Sequence, residues 1–337
     1  LEAIVLNTSF NGHYIQNNNT KWEWGIKLQK EEITDHIKEW TLIDSAGFTL
    51  PHPRDNINGN SDTTQELLMT EFLKTDLKLS SFRESGFIQY NKDIGNFTIN
   101  AGTRASYWSF NKEFLLSPRL NLAFIPLWEK DIVFRAATGI YYQSPFYREL
   151  RNLEGELNPN IESQKSIHFV LGSDYLFYSW GRPFKLISEI YYKDLQNLIP
   201  YKIDNVRIQY LAENNSNGYA TGVDLKINGE FVTGVESWAS LSVMQTMEDI
   251  EDDFYIDEET GETIYPGFIP RPTDQRVNFS LFFQDYLPGN PNYKMHLSMM
   301  YGTGLSFGPP NSDKYQDILR MPDYRRVDIG FSAVIKG

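Results

Sequence analysis

What most limits the possible folds of this chain is an alternation of apolar and polar residues with period two, restarted many times along its length. Between positions 219 and 231, Tyr219, Thr221, Val223, Leu225, Ile227 and Phe231 alternate with Asp224, Lys226, Asn228 and Glu230. A helix could claim Tyr219, Val223, Ile227 and Phe231. It would then leave Thr221 and Leu225 on its far side and absorb Gly222 and Gly229 at about 1 kcal/mol each. A strand fits better. The pattern recurs at Phe97/Ile99/Ala101/Thr103/Ala105/Tyr107 and at Ile132/Phe134/Ala136/Thr138/Ile140/Tyr142. Shorter copies are Leu120/Leu122/Phe124, Ile167/Phe169/Leu171, Phe184/Leu186/Ile190, Val277/Phe279/Leu281/Phe283, Tyr293/Met295/Leu297/Met299 and Val327/Ile329/Phe331/Ala333. Ile4/Leu6/Phe10 and Trp22/Trp24/Ile26/Leu28 fit more loosely. Along the whole chain, of which these are the eleven clearest runs, about 13 strands are predicted, most of them near the roughly 9–11 residues that a tilted strand needs to cross a bilayer.

The connections between these strands are sorted. Short ones fall at 17–20, 92–95, 126–131, 179–183, 232–235 and 287–292, and long ones at 45–75, 144–164, 194–218, 248–272 and 304–322. Apart from a tight turn near 110–112, short and long alternate. In an up-and-down barrel every second connection lies on the same rim, so one rim would carry tight turns and the other long loops. Outer-membrane barrels have this asymmetry, with the long loops extracellular. Aromatic residues cluster at strand ends, as at Tyr107/Trp108, Trp128, Tyr141/Tyr142, Tyr175/Phe177/Tyr178/Trp180, Tyr191/Tyr192 and Tyr286. They suit girdles at the headgroup level, although aromatics also favour strands generally. No stretch approaches the roughly 20 apolar residues of a membrane helix. The net charge of −13, with no concentrated basic face, argues against nucleic acid as a partner. With no cysteine, disulfides and thiolate metal sites are impossible.

Several segments resemble the barrel of TonB-dependent receptors, in particular those of Bacteroidetes-type bacteria. They are Gly102-Thr103-Arg104-Ala105-Ser106-Tyr107-Trp108 leading into Leu115-Leu116-Ser117-Pro118-Arg119-Leu120, Tyr141-Tyr142-Gln143-Ser144-Pro145-Phe146-Tyr147-Arg148-Glu149-Leu150, Gly218-Tyr219-Ala220-Thr221-Gly222-Val223-Asp224, and Arg325-Arg326-Val327-Asp328-Ile329-Gly330-Phe331. The resemblance implies a bacterial outer-membrane transporter, not an enzyme. It would be an antiparallel up-and-down barrel of about 22 strands around a plug, importing a scarce nutrient with energy from the TonB complex. Residues 1–337 are then expected to be a fragment of one transmembrane barrel domain, with the plug and the last strands outside it. The implied partners are that plug, the TonB complex, outer-membrane lipid, a small nutrient such as a glycan or siderophore, and a surface lipoprotein. Two other readings stay open: a plug-free porin or adhesin barrel, and a soluble all-β carbohydrate-binding module whose apolar stripe is buried against a second layer.

No catalytic constellation stands out. The five histidines (His13, His36, His52, His168, His296) are scattered, and neither an H-E-x-x-H nor a G-x-S-x-G motif occurs. The densest charge is Glu248-Asp249-Ile250-Glu251-Asp252-Asp253, continuing to Asp257-Glu258-Glu259. It reads either as a solvated acidic loop or as a Ca²⁺ site, though without EF-hand spacing. Period two turns Arg104, Arg119, Arg135, Asp224, Lys226, Glu230 and Arg276 toward the lumen, where plug or substrate would supply their partners. Tyr147, Arg148 and Arg151, mixing an aromatic with arginines at a loop base, suit a sugar, an anionic siderophore or a structural anchor.

Overall fold

A computed structural model describes residues 1–17, 19–43, 68–204, 207–257, 260–309 and 313–334. It forms one antiparallel sheet whose main path has thirteen strands, each paired with its neighbour in sequence. These are β1 (Glu2–Asn17), β2 (Thr20–Ile43), β3 (Leu68–Ile94), β4 (Phe97–Trp108), β5 (Glu113–Phe124), β6 (Asp131–Gln143), β7 (Gln164–Ser179), β8 (Arg182–Leu198), β9 (Ser216–Val232), β10 (Val235–Ile250), β11 (Val277–Leu287), β12 (Asn290–Gly302) and β13 (Tyr324–Ala333). A short strand, Ile269–Pro270, adds to β10. Among the described residues β1 and β13 each have a single partner, so this stretch of wall is open, and no helix is long and apolar enough to cross a membrane.

The register explains why alternation was the main signal. One line of paired residues runs Leu122, Ala136, Leu171, Ile190, Val223, Val243, Val277 across seven strands, and every member is apolar. The adjacent line runs Ala123, Arg135, Gly172, Glu189, Asp224, Ser242, Asn278, and every member is small or polar. Successive side chains point to opposite faces, so a slip of one residue would exchange the two lines. Leu171, Ile190, Val223 and Val243 are exposed, with Leu171 at 61%, and no second layer among the described residues covers them. A soluble protein would bury such a stripe; lipid is the solvent that fits it.

The connections 95–96, 125–130, 180–181, 233–234 and 288–289 lie on one rim, and 109–112, 144–163, 199–215, 251–276 and 303–323 on the other. At 180–181 both Trp180 (φ 52°) and Gly181 (φ 71°) are left-handed, the conformation with which a two-residue hairpin matches the strand twist. Several connections are shorter than the alternation implied, because β8 continues to Leu198, β10 to Ile250, and β3 begins at Leu68. Most of the expected loop at 45–75 lies outside the described residues.

β2 and β3 run well past their neighbours, with β2 paired to β3 from Thr20 to Ile43. Above Leu28 the apolar stripe changes sides. Ile33, Ile37, Leu77 and Leu79 face inward, while Lys30, Glu32, His36, Lys38, Lys74 and Lys78 face outward. The inner face there is covered by the connections 144–163 and 199–215, which build a small core from Leu79, Trp108, Leu150, Ile161, Ile199 and Ala212. The side-chain amide of Asn158 donates to Ala212 O at 2.8 Å and that of Asn214 to Glu162 O at 3.0 Å, tying the two connections together. The main apolar core of the molecule is therefore a folded cap on the long-loop rim, not the interior of the sheet.

Candidate functional site

The lumen face carries three tiers of charged and aromatic side chains. At mid-wall, adjacent strands place Arg119 on β5 beside Gly139 on β6, then His168 on β7 and Lys193 on β8. The Arg119 guanidinium lies 4.4 Å from the centre of the Tyr141 ring, and that ring stacks on His168 at 4.2 Å. Lys193 Nζ lies 5.1 Å from the Tyr191 ring. Arg104, exposed on β4, sits over Phe87 at 5.5 Å. Arg104, Arg119 and Lys193 make no ion pair with any other described residue, so the tier offers uncompensated cations beside aromatic faces. Such a surface attracts an anion that is also flat and polarisable.

Glycines let these rings lie flat on the wall. A Cβ at Gly222 on β9 would come within 2.6 Å of the Tyr191 hydroxyl. Gly222→Val should therefore lift the Tyr191 ring from the wall and cost roughly 1–3 kcal/mol through overpacking. Thermal unfolding of the detergent-solubilised receptor would measure it; an unchanged midpoint would mean that the ring is mobile.

Toward the tight-turn rim the charges are already paired. Arg135 contacts Asp174 at 2.6 Å and Glu189 at 3.3 Å, while Lys185 holds the other Asp174 oxygen at 2.8 Å. Asp224 accepts a hydrogen bond from Ser242 Oγ. Arg135 and Asp224 thus have partners on neighbouring strands, whatever a plug would add. Arg135 and Glu189 border a shallow hollow with Thr98, Asn100, Asn121 and Gly172.

At the long-loop rim Tyr147, Arg151 and Arg276 lie against acidic side chains, and Arg148 does not. Arg151 reaches Asp35 on β2 at 3.7 Å. The Tyr147 hydroxyl is pushed up to about 12 by burial and by the nearby negative charge of Asp35. Arg148 is exposed on the same turn. Glu149 accepts from Phe146 N at 2.7 Å, and burial pushes its carboxyl up from the usual range. Arg276 donates to Asp274 at 2.7 Å, and Arg320 joins it on that wholly buried carboxylate, so Arg276 fastens a loop rather than facing an open lumen.

The acidic run is not uniformly solvated. Glu248 lies on β10, 2% exposed, between Lys314 at 2.5 Å and Arg271 at 3.4 Å. Adjacency in sequence groups it with its acidic neighbours and hides the change of face. Asp253 is held above the usual carboxylate range by burial and then by Asp249. Glu258 and Glu259 lie outside the described residues. Among the described residues no group of three or more His, Asp or Glu could hold a metal ion.

Sequence reasoning missed Tyr141, His168, Tyr191 and Lys193 as a group. Both residues of Tyr141/Tyr142, Tyr191/Tyr192 and Tyr107/Trp108 suit the girdles by composition, yet strand geometry sends one residue of each pair inward. Trp108 is buried in the cap, its indole donating to Ser81 Oγ at 3.1 Å with Arg83 stacked above it at 3.8 Å. Exposed Trp128 and Trp180 do sit at the tight-turn rim.

An outward apolar stripe, an inward polar one and a rim of folded loops define the wall of an outer-membrane β-barrel. The model of the TonB dependent receptor-like β-barrel family matches residues 5–333, and the chain belongs to that family. Its members are transporters of the bacterial outer membrane, not enzymes, and the outer membrane is where this chain resides. No curated protein matches it. Among solved structures it is similar to the ferric enterobactin receptor PfeA of Pseudomonas aeruginosa (R480A mutant with enterobactin), at 14% identity over 99% of this chain and 47% of that one, with a TM-score of 0.63. The siderophore receptor PiuA of Acinetobacter baumannii is similar at 14% identity over 99% and 50%, with a TM-score of 0.59. The FrpB iron transporter of Neisseria meningitidis follows at 12% identity over 98% and 48%, also at 0.59. At these identities the likeness is one of fold. The chain spans about half the length of these structures.

Proposed function

We propose that this chain forms much of the wall of a receptor that takes up an anionic nutrient complex of the ferric siderophore type. TonB would energise release by acting on a plug supplied by the rest of the polypeptide. The observation that carries the reading is the mid-wall tier of Arg119, Tyr141, His168 and Lys193, where cations without acidic partners lie against aromatic rings. A chelate that wraps iron in aromatic or carboxylate oxygens presents negative charge together with flat rings, and both features find complements there. A neutral glycan would use the aromatic faces but leave the cations idle. The iron and siderophore names of three structurally similar proteins support the same direction. The folded cap above the tier would restrict entry to ligands admitted by the loops.

The test is uptake of radiolabelled iron as a ferric catecholate by a strain lacking its own receptor and carrying the full-length gene. Arg119→Ala/Lys193→Ala should weaken apparent affinity roughly 30-fold or more, since truncating charged contacts in a desolvated site typically costs that much. Deleting TonB should abolish uptake altogether. Iron acquisition indifferent to both changes, with growth on a glycan dependent on the gene, would overturn the siderophore reading.

A further inference from the structure

Above the membrane, β2 and β3 continue as a two-stranded ribbon whose outer face no other described element covers. Along it His36, Lys38 and Trp40 on β2 and Phe72, Lys74, Asp76 and Lys78 on β3 are all exposed. Trp40 and Phe72 are direct cross-strand partners, 57% and 61% exposed, and the Lys38–Lys74 and His36–Asp76 pairs follow below them in the ladder. His36 Nδ1 and Asp76 are 2.5 Å apart. Three lysines face one aspartate, so the patch is basic on a chain whose net charge is −13. Two large apolar rings with their faces in water, set among cations, contribute nothing to the cap, which packs only on the inner side of the ribbon.

Height narrows what can touch this face. The apolar outward stripe ends at Leu28 on β2 but continues on its neighbours to Phe82 of β3, paired with Lys30, and to Ile4 of β1, paired with Glu32. At about 3.3 Å per residue and a tilt of about 40°, His36 stands on the order of 10 Å above the level of Ile4 and Trp40 on the order of 20 Å. A headgroup layer is only about 5–7 Å deep. Phospholipid headgroups therefore stop below His36 and well short of the Trp40–Phe72 pair. In an outer membrane, material that rises beside a barrel to this height is the saccharide of the outer-leaflet glycolipid, which carries phosphate and carboxylate groups. Lysines match those anions, and the apolar faces of sugar rings stack on tryptophan and phenylalanine.

We propose that the outer face of this ribbon is a binding site for the anionic saccharide of lipopolysaccharide, with Trp40 and Phe72 stacking on sugar rings and Lys38, Lys74 and Lys78 holding its acidic groups. The lipid would then grip the receptor twice, by its chains along the apolar stripe and by its sugars along the ribbon. The site lies outside the lumen and is independent of what the receptor imports.

The experiment measures binding of purified lipopolysaccharide to the full-length receptor immobilised in detergent. Lipid A stripped of its saccharide and phosphatidylglycerol micelles serve as the other two probes. Lys38→Glu/Lys74→Glu should weaken lipopolysaccharide binding by about tenfold or more, as expected for reversing two cations near an anionic surface. Trp40→Ala/Phe72→Ala should weaken it in the same direction, and both variants should bind the two saccharide-free probes as the wild type does. Heat-modifiable migration on gels confirms folding, and Lys38→Gln/Lys74→Gln replaces the reversal if that variant misfolds. The proposal is overturned by unchanged lipopolysaccharide affinity in all variants, or by an equal loss for lipid A, which would put the contact at membrane level. It is equally overturned if wild-type binding proves to require a co-purifying protein that the substitutions remove.

Discussion

Replacing Leu171 with arginine will cost about 2–4 kcal/mol and deplete the folded, heat-modifiable form, because that is the range for a cation on the lipid face near the bilayer midplane. Leu171 is the third member of the seven-strand apolar line and is open to the surroundings. Its neighbour Val170 borders the shallow hollow on the opposite face. Val170→Arg should be far milder, since a lumen cation meets water, the Glu189 carboxylate and polar neighbours. The ratio of folded to unfolded bands after refolding into lipid vesicles measures both. If Leu171→Arg folds normally while Val170→Arg does not, the faces of the sheet are reversed and the membrane placement fails.

A second large effect is expected at the loop rim. Lys314→Met leaves the buried Glu248 carboxylate without its nearest cation, and breaking a buried pair on one side costs about 3–5 kcal/mol. Arg271 at 3.4 Å retains part of the compensation, which places the loss at the lower end. The damage should be local. The connection 303–323 is held by this pair, by Arg320 on Asp274, and by Tyr315 stacked on Tyr255 at 4.5 Å. Freed from the first, it should open without unzipping the strands. Protease cleavage confined to 303–323 of the folded receptor would report that opening. Adding Glu248→Gln to the variant should restore much of the protection, because the unpaired charge is gone. Equal cleavage of the wild type and Lys314→Met would mean that the pair is hydrated and contributes little.

These expectations draw unequally on what the sequence discloses. Thirteen strands and their order could be read because each short run such as Val277/Phe279/Leu281/Phe283 carries its own parity, and a strand needs nothing else to declare which side is greasy. The upper parts of β2 and β3 escaped for a related reason. Beyond Leu28 water replaces lipid outside and packed loops replace water inside, so the alternation persists but inverts, with Ile33, Ile37, Leu77 and Leu79 on the inner face. A search for outward apolar residues sees only an interruption there. Arg119 was recognisable as a lumen residue, but its grouping with Tyr141, His168 and Lys193 depends on the stagger between strands, which no single strand contains. The Glu248–Lys314 pair joins distant segments through one contact, and an isolated contact leaves no period to detect.

Every strand in the main path lies beside the one made just before it and the one made just after. Hairpins closed by turns as tight as Trp180-Gly181 keep their partners within a few residues, so little loop entropy opposes each new pairing. The wall can therefore grow progressively in one direction, each nascent strand templating the next. At every stage the growing sheet has two bare borders, as β1 and β13 are here, and each presents amides and carbonyls to hydrocarbon, where an unpaired group costs several kcal/mol. Those borders are therefore stable in lipid only when something covers them.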